Sequence, residues 1–144
     1  MSLNSSFTSI KDFPFHHKIK TRWKDLDAFG HVNNSVFATY IEDARFSLFD
    51  RWDIVNSRSK KSIIAAALKL NFKHQLTHPS NIIIAQRVSR IGKTSFDIHA
   101  CIFDEKFTSK IICDTLITCV CFNYETQQPV RVYKEIINDS CIKN

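Results

Sequence analysis

The sequence predicts an α+β domain in which one long central helix is wrapped by an antiparallel sheet of about five strands. Three observations predict it. A strand-like segment precedes a helix-like segment of about 16 residues. Four further strand-like segments follow, and they are joined mainly by turns too short for parallel crossovers. The 144 residues, 44% apolar and 24% charged, fit one core. We expect a flexible tail over residues 1–14 and a single domain over residues 15–144.

The first strand is predicted from side chains that alternate between bulky and basic. Bulky or apolar residues occupy every second position from His17 to Trp23, which is the period of a half-buried strand. The strand is expected to end near Trp23. Residues 24–31 follow as a polar turn that contains Gly30, one of only two glycines in the chain.

The long helix is predicted from apolar residues that recur at three- and four-residue spacing. These residues are Val36, Phe37, Tyr40, Ile41, Ala44, Leu48 and Phe49. Asn33, Asn34 or Ser35 can cap the start of the helix. Glu42 and Arg45 can pair at the i,i+3 spacing of a helix surface.

Four strands are predicted after a polar and basic loop at residues 53–62. In the first, apolar residues alternate from Ile64 to Phe72, so that one face is apolar; the others span about residues 81–91, 95–102 and 110–122. Turns at residues 92–94 and 104–106 fit antiparallel hairpins. Because the last strands are apolar on both faces, we expect the sheet to meet a second copy in a homodimer or homotetramer.

Composition limits the class of function. The longest uncharged apolar run, Ile63 to Leu68, is far shorter than the ~20 residues of a membrane span, and the N-terminus lacks a secretory signal pattern. We therefore expect a cytoplasmic protein without a membrane span. The net charge of +6 favours phosphorylated substrates or an acidic carrier protein. Nucleic acid is not expected, because the basic residues are spread along the chain. The five cysteines form no CxxC pair and are expected to be reduced.

The densest group of polar functional side chains lies at residues 25–34, directly before the long helix. The first N–H groups of a helix have no internal partner and can stabilise a developing oxyanion. Asp27, seven residues before Asn34, can supply a base or nucleophile at the same point, as acyl transfer requires. Turn formation and capping are an alternative interpretation of these residues. A divalent metal is not expected, because acidic residues are few and no second His or Cys has ligand spacing.

Residues 22–45 carry a motif of the form DxDxxGHVNNxxFxxYxExAR. The motif resembles that of the hotdog-fold acyl-CoA thioesterases of the 4-hydroxybenzoyl-CoA thioesterase type, and it is similar to the core motif of plant acyl-acyl-carrier-protein thioesterases. With weaker echoes at residues 91–95 and 122–130, the resemblance covers about residues 15–137. It implies a hotdog fold with active sites at a subunit interface. It also implies hydrolysis of an acyl-CoA, in which coenzyme A is part of the substrate and no cofactor is needed.

The same resemblance implies roles for individual residues. Asp27 is the catalytic carboxylate, which either attacks the thioester carbonyl or deprotonates a water. The backbone N–H near Asn34 polarises the carbonyl. His31 matches the carrier-protein branch, in which a His at this place is linked to catalysis, but Phe29 stands where that branch has an Asn. His31 is therefore expected to orient a group or bind water, with a structural hydrogen bond as the alternative.

Substrate contacts are expected around this motif and at one later turn. Asn33 is expected to order the turn, and Phe37 and Tyr40 either pack in the core or line the acyl channel. Donors that can converge on a coenzyme A phosphate lie at one turn: Arg90, Gly92, Lys93, Thr94 and Ser95. A solvated hairpin is the alternative there, and Lys60 and Lys61 are further candidates.

The predicted function is hydrolysis of an acyl-CoA to a carboxylic acid and free coenzyme A. Two alternatives stay open. The first is hydrolysis of an acyl group carried on acyl carrier protein, and the second is a non-catalytic module that binds acyl-CoA.

Overall fold

The computed structural model of the chain describes residues 8–54 and 60–140. Its elements are β1 (Phe15–Lys20), α1 (Asn34–Arg51), β2 (Lys61–Phe72), β3 (Asn81–Ile91), β4 (Ser95–Asp104), β5 (Phe107–Asn123), β6 (Gln128–Pro129) and α2 (Lys134–Asn138). The order of one strand, one long helix and four strands is the predicted order. The two-residue strand β6 and the short helix α2 are not predicted.

The strands form one antiparallel sheet in the order β1-β3-β4-β5-β2, and β6 pairs with the end of β5. β1 and β2 are therefore the edge strands. The sheet curls around α1, which confirms the predicted α+β arrangement of a central helix wrapped by a curved sheet. We call the face opposite α1 the outer face.

The core lies between α1 and the sheet. The buried side of α1 contains six of the seven predicted apolar residues, all except Val36, and also Arg45. It packs on alternate residues of the central strands such as Ile84, Ile98 and Ile117, each 0% exposed. The helical period of the sequence therefore identified the buried face of α1.

The prediction that the first strand extends to Trp23 was wrong. β1 ends at Lys20, and Trp23 is 78% exposed. A 3-10 turn over Trp23–Asp25 replaces the end of the strand, because the Asp25 carboxylate accepts the backbone N–H of Arg22.

The prediction that one face of β2 is apolar from Ile64 to Phe72 was also wrong. A bulge interrupts the register, since Ala65 pairs with Cys119 but Ala67 pairs with Thr118. The extra residue moves Ile64 onto the outer face, whereas Leu68 stays on the α1 side. Ile64, Leu68 and Phe72 are 47%, 46% and 44% exposed, so this edge strand presents apolar side chains on both faces.

Residues 8–14, the described part of the segment expected to be a flexible tail (1–14), are ordered against the sheet. Ile10–Asp12 form a 3-10 helix that Ser9 caps. Phe13 is 3% exposed and packs with Ala85 and Cys101 on the outer face. Residues 1–7 lie outside the described residues.

The described cysteines are buried and free: Cys101, Cys113, Cys119 and Cys121. This agrees with the prediction of reduced thiols, and Cys141 lies outside the described residues. Within the described ranges, neither helix has the length and hydropathy that a membrane span requires.

Candidate active site

A cleft of about 740 Å³ opens between the loop before α1 and the end of β2. Its walls are Asp27, Phe29, His31, Val32, Asn33, Asn34 and Phe37 on one side and Phe72, Lys73, His74 and Gln75 on the other. The backbone N–H of Val32 donates to the carbonyl of Leu76 at 2.8 Å and ties the two walls together. The cleft thus brings together the three predicted catalytic residues and two of the predicted substrate contacts, Asn33 and Phe37.

One carboxylate oxygen of Asp27 holds the loop, and the other is free. Asp27 Oδ1 accepts the backbone N–H groups of Phe29 at 2.8 Å and of His31 at 3.3 Å. The Asp27 N–H donates to the His31 carbonyl at 2.8 Å. Gly30, at φ +81°, closes the turn in a conformation that other residues rarely adopt. Asp27 Oδ2 has no hydrogen-bond partner among the described residues.

The start of α1 leaves one backbone donor free. Asn33 is the N-cap, and its Oδ1 accepts the backbone N–H of Ser35 at 3.0 Å. The Val36 N–H donates to the Asn33 carbonyl at 2.9 Å. No acceptor in the described part of the chain faces the Asn34 N–H. The predicted cap is confirmed at Asn33, and the donor at Asn34 remains available at the positive end of the helix dipole.

His31 lines the cleft without a hydrogen bond from its ring to any described residue. Lys73 and His74 likewise line the cleft, and their side chains make no hydrogen bond within the described ranges. Sequence reasoning gave Lys73 and His74 no role. The hydrogen bond from the Val32 N–H to the Leu76 carbonyl holds the segment after β2 beside the Asp27 loop, and no local motif signals that contact.

Asp25 is a fully bonded carboxylate beneath this loop. It is 1% exposed and accepts Tyr40 Oη at 2.5 Å, the Arg22 N–H at 2.9 Å, and Arg22 Nε and Nη2 at 3.1 and 2.9 Å. Burial raises the pKa of Asp25, but the hydrogen bonds from Tyr40 and Arg22 outweigh it and hold that pKa below its ordinary value. Burial, together with the Asp25 carboxylate, raises the pKa of the Tyr40 phenol. Tyr40 contacts Asp25 and does not line the cleft.

The predicted phosphate-binding turn does not join the cleft within one protomer. Phe72 at the end of β2 pairs with Cys113 of β5, Cys113 pairs with Ile102 of β4, and Ile102 pairs with Ile84 of β3. The cleft end of the sheet therefore corresponds to Ile84 on β3. Arg90 is six residues further along β3, roughly 20 Å away at ~3.3 Å per residue. Gly92, Lys93, Thr94 and Ser95 continue beyond it.

Three of the cations predicted for phosphate, Arg90, Lys60 and Lys61, are also already paired. Arg90 donates to both carboxylate oxygens of Asp97, at 2.8 and 3.1 Å, and to Ser95 Oγ at 3.0 Å. Lys60 pairs with Glu125 at 2.6 Å, and Lys61 pairs with Glu135 at 3.0 Å. On α1, Arg45 and Glu42 lie 3.9 Å apart at the predicted i,i+3 spacing.

A second polar cluster lies on the outer face of the sheet. His99 Nε2 lies 2.7 Å from Asp114 Oδ1, and Cys101 Sγ lies 3.3 Å from the same oxygen. Arg87 Nε donates to His99 Nδ1 at 3.1 Å, so Nε2 carries the proton that His99 donates to Asp114. We call these four residues the outer-face network.

Three members of the outer-face network are of metal-ligand type and lie within 4.8 Å of one another. A metal-bound imidazole donates its second N–H to an acceptor, whereas here that nitrogen faces the guanidinium donor of Arg87. Burial also raises the pKa of the Cys101 thiol, which disfavours a thiolate ligand. The arrangement fits a satisfied hydrogen-bond network.

Comparison with known proteins gives a family match over most of the chain. The sequence profile of the thioesterase-like superfamily matches residues 21–138. The chain is 23% identical over 121 residues to the long-chain acyl-CoA thioesterase FadM of Escherichia coli, covering 83% of this chain and 91% of FadM. It is 25% identical over 87 residues to YsmA of Bacillus subtilis, a match that covers 60% of this chain and spans only 59% of the length of YsmA.

Solved structures share the fold. The PA2801 protein of Pseudomonas aeruginosa superposes with a TM-score of 0.80 at 20% identity, covering 85% of this chain and 95% of that protein. An identity this low establishes the common fold alone.

Proposed function

The chain belongs to the thioesterase-like superfamily, and from this premise we propose that it hydrolyses acyl-CoA thioesters in the cleft between Asp27 and the start of α1. Family membership and the hotdog fold confirm the resemblance carried by residues 22–45, and thioester hydrolysis is the class of reaction they support. One observation carries the assignment to this cleft. A carboxylate oxygen of Asp27 and the backbone N–H of Asn34, neither of which has a hydrogen-bond partner among the described residues, belong to residues that line the same cavity.

Each of these groups has a defined task in hydrolysis. The Asn34 N–H and the positive end of α1 stabilise negative charge on the thioester oxygen. Asp27 Oδ2 attacks the carbonyl carbon, the C–S bond breaks with release of the coenzyme A thiolate, and water hydrolyses the mixed anhydride. Alternatively, Asp27 accepts a proton from the water that attacks. Either route consumes one water and yields one acid and one thiol.

The loop geometry supports the role of Asp27. Since Oδ1 is held by two backbone N–H groups, the carboxylate has a fixed orientation while Oδ2 remains available. The same local bonds are those of a turn former, which was the alternative interpretation from sequence. Turn formation accounts for Oδ1, and catalysis requires Oδ2, so the two roles are compatible.

We assign His31 to binding water or the substrate. A structural role requires a hydrogen bond from the ring, and none joins it to the described residues. Its place on the cleft wall with Asp27 fits a group that orients the attacking water.

We further propose that the active unit contains two copies of the chain, as a homodimer or a homotetramer built from it. β2 is an unpaired edge of twelve residues with exposed apolar side chains, which favours pairing with another strand. Antiparallel pairing of two β2 strands about a twofold axis brings the Lys61 end of one copy to the Phe72 end of the other. The turn at residues 90–95 of the second copy then lies at the same end as the cleft, where it can meet coenzyme A phosphates.

The proposal is tested by a hydrolysis screen that follows thiol release from aliphatic, aromatic and branched acyl-CoAs. We expect turnover by the wild type and a kcat about 10²–10⁴-fold lower in Asp27→Asn, the usual contribution of general-base catalysis. Asp104→Asn is a matched control. Asp104 Oδ1 accepts the backbone N–H of Lys106 at 2.9 Å, the same i+2 contact as that of Asp27, and Asp104 lies outside the cleft. This variant is expected to hydrolyse at the wild-type rate.

Other outcomes separate the alternatives. Equal turnover by wild type and Asp27→Asn removes Asp27 from the mechanism. Faster release of the same acyl group from acyl carrier protein than from coenzyme A identifies a carrier-protein hydrolase. Tight binding of acyl-CoA without turnover over hours identifies a binding module.

A further inference from the structure

We propose that Asp25 and Tyr40 form a positioning pair that sets the separation between the Asp27 carboxylate and the Asn34 amide; this inference rests on the proposed function. The two catalytic groups belong to different segments. Asp27 lies on the loop, and Asn34 begins α1. Hydrolysis requires both to meet one carbonyl group, so their relative position has to be fixed by contacts between the loop and the helix.

Asp25 contacts the helix segment at two points. Its backbone carbonyl accepts the N–H of Asn33, the N-cap, at 2.9 Å. Its carboxylate accepts the hydroxyl of Tyr40 at 2.5 Å. Asn33 and Tyr40 are seven residues apart, roughly 10 Å along a helix axis. Both contacts are made to Asp25, one through its backbone and one through its side chain, so the first two turns of α1 are tied to a single loop residue.

Asp25 is itself immobilised. Arg22 contributes its backbone N–H and two guanidinium nitrogens, which leaves no freedom to rotate a carboxylate that is 1% exposed. A bridge between Leu26 and Val32 closes the loop that follows. Asp27 is only two residues beyond Asp25. The contacts of Asp25 therefore also restrict the backbone position of Asp27 relative to α1.

Stability alone is a poor explanation for this pair. A buried carboxylate carries a desolvation cost, and apolar residues of similar volume are often at least as stabilising. The Tyr40 ring already packs edge-to-face on Phe37 at 6.1 Å, a contact that phenylalanine would keep. The hydroxyl adds only the bond to Asp25. Because a misplacement of about 1 Å can lower a rate by ~10²-fold, position is the property that this bond protects.

The first test is Tyr40→Phe. We expect kcat for acyl-CoA hydrolysis to fall by about 10–100-fold with KM changed by less than about threefold, because the reacting geometry changes and the remote substrate contacts do not. Thr115→Val is the matched control. It removes an equally buried hydroxyl that donates to the Ala100 carbonyl at 2.8 Å in the sheet, and it is expected to leave kcat unchanged. A Tyr40→Phe kcat within about twofold of wild type overturns the proposal.

A double-variant cycle separates positioning from general damage. If Tyr40 acts through Asp27, adding Tyr40→Phe to Asp27→Asn lowers kcat little further, because the group being positioned is already lost. Full additivity of the two losses contradicts the positioning role.

A third measurement does not depend on catalysis. Amide hydrogen exchange at Asn33, whose N–H donates to Asp25, is expected to accelerate in Tyr40→Phe and to stay unchanged in Thr115→Val. Unchanged exchange in Tyr40→Phe refutes the positioning pair even if the wild type proves to be a hydrolase. Absence of turnover by the wild type, in contrast, refutes the proposed function while this exchange measurement still decides the geometry.

Discussion

The two polar clusters of the molecule contain similar side chains but differ in how much of their bonding capacity is used. The cleft combines Asp27 with His31, and the outer-face network combines Asp114 with His99. In the cleft, Asp27 Oδ2, the His31 ring and the Asn34 N–H have no hydrogen-bond partner among the described residues. In the outer-face network, the ring and the carboxylate are bonded to each other. The candidate active site therefore differs from the structural network in having hydrogen-bond donors and acceptors without partners beside a cavity, and not in its residue types.

A search for perturbed pKa values would have selected the outer-face network instead of the cleft. The hydrogen bond from His99 lowers the pKa of Asp114, and burial raises that of the Cys101 thiol. Perturbed pKa values often mark functional sites, but ion-pair networks perturb them too. Here the lowered pKa of Asp114 indicates a carboxylate whose partner is already in place, and the raised pKa of Cys101 indicates burial.

The largest expected effect is a difference between Asp27→Asn and Asp114→Asn: the first is expected to lower turnover and the second to lower stability. Asp27→Asn is expected to lower kcat by about 10²–10⁴-fold with little loss of stability, because an amide oxygen can still accept the loop N–H groups. Asp114→Asn is expected to keep wild-type turnover and to lower the free energy of unfolding by about 1–2 kcal/mol, as for a charge-assisted bond at a partly exposed site. Turnover assays and urea unfolding of both variants check this. Loss of turnover in Asp114→Asn would link the outer face to catalysis.

A second contrast concerns the edge strand beside the cleft. Leu68→Glu places a charge on the α1 side of β2 and, if the proposed dimer forms through β2, is expected to convert it to a monomer with most of its activity lost. Leu116→Glu changes an exposed residue of the outer face. It is expected to keep the dimer active and to dissociate only a tetramer built through that face. Sedimentation and turnover are the measurements, and a fully active Leu68→Glu monomer would exclude pairing through β2.

The smallest expected effect is on the pH dependence of stability. Because the pKa of Asp114 is lowered in the folded protein, its stabilising contribution is present above the unfolded pKa near 3.9 and is lost as pH falls below it. The stability difference between wild type and Asp114→Asn, about 1–2 kcal/mol, is therefore expected to shrink as the pH falls below about 4. Urea unfolding at several pH values measures the difference, and the other acidic groups cancel in it. A difference that grows as the pH falls below about 4 would contradict the assigned bond.

Sequence reasoning succeeded where a feature depends on neighbouring residues. The helix, its cap at Asn33 and the central strands followed from periodicity and capping rules. It failed at the end of β1, where a local side-chain contact replaces the strand, and in β2, where a strand far along the chain sets the register. The Asp25 clamp on Arg22 ends β1 before Trp23, and the bulge at Ala66 is visible only in the pairing with β5.

The candidate site divides in the same way. Asp27, His31 and Asn34 lie within eight residues, so their proximity was determined by the sequence itself through one turn and one helix start. Tertiary structure decided which polar atoms are left without a hydrogen-bond partner. Arg90 is bonded to Asp97 and Asp25 is bonded to Tyr40. A hydrogen bond requires two groups to meet in space, and chain folding alone determines which distant groups meet.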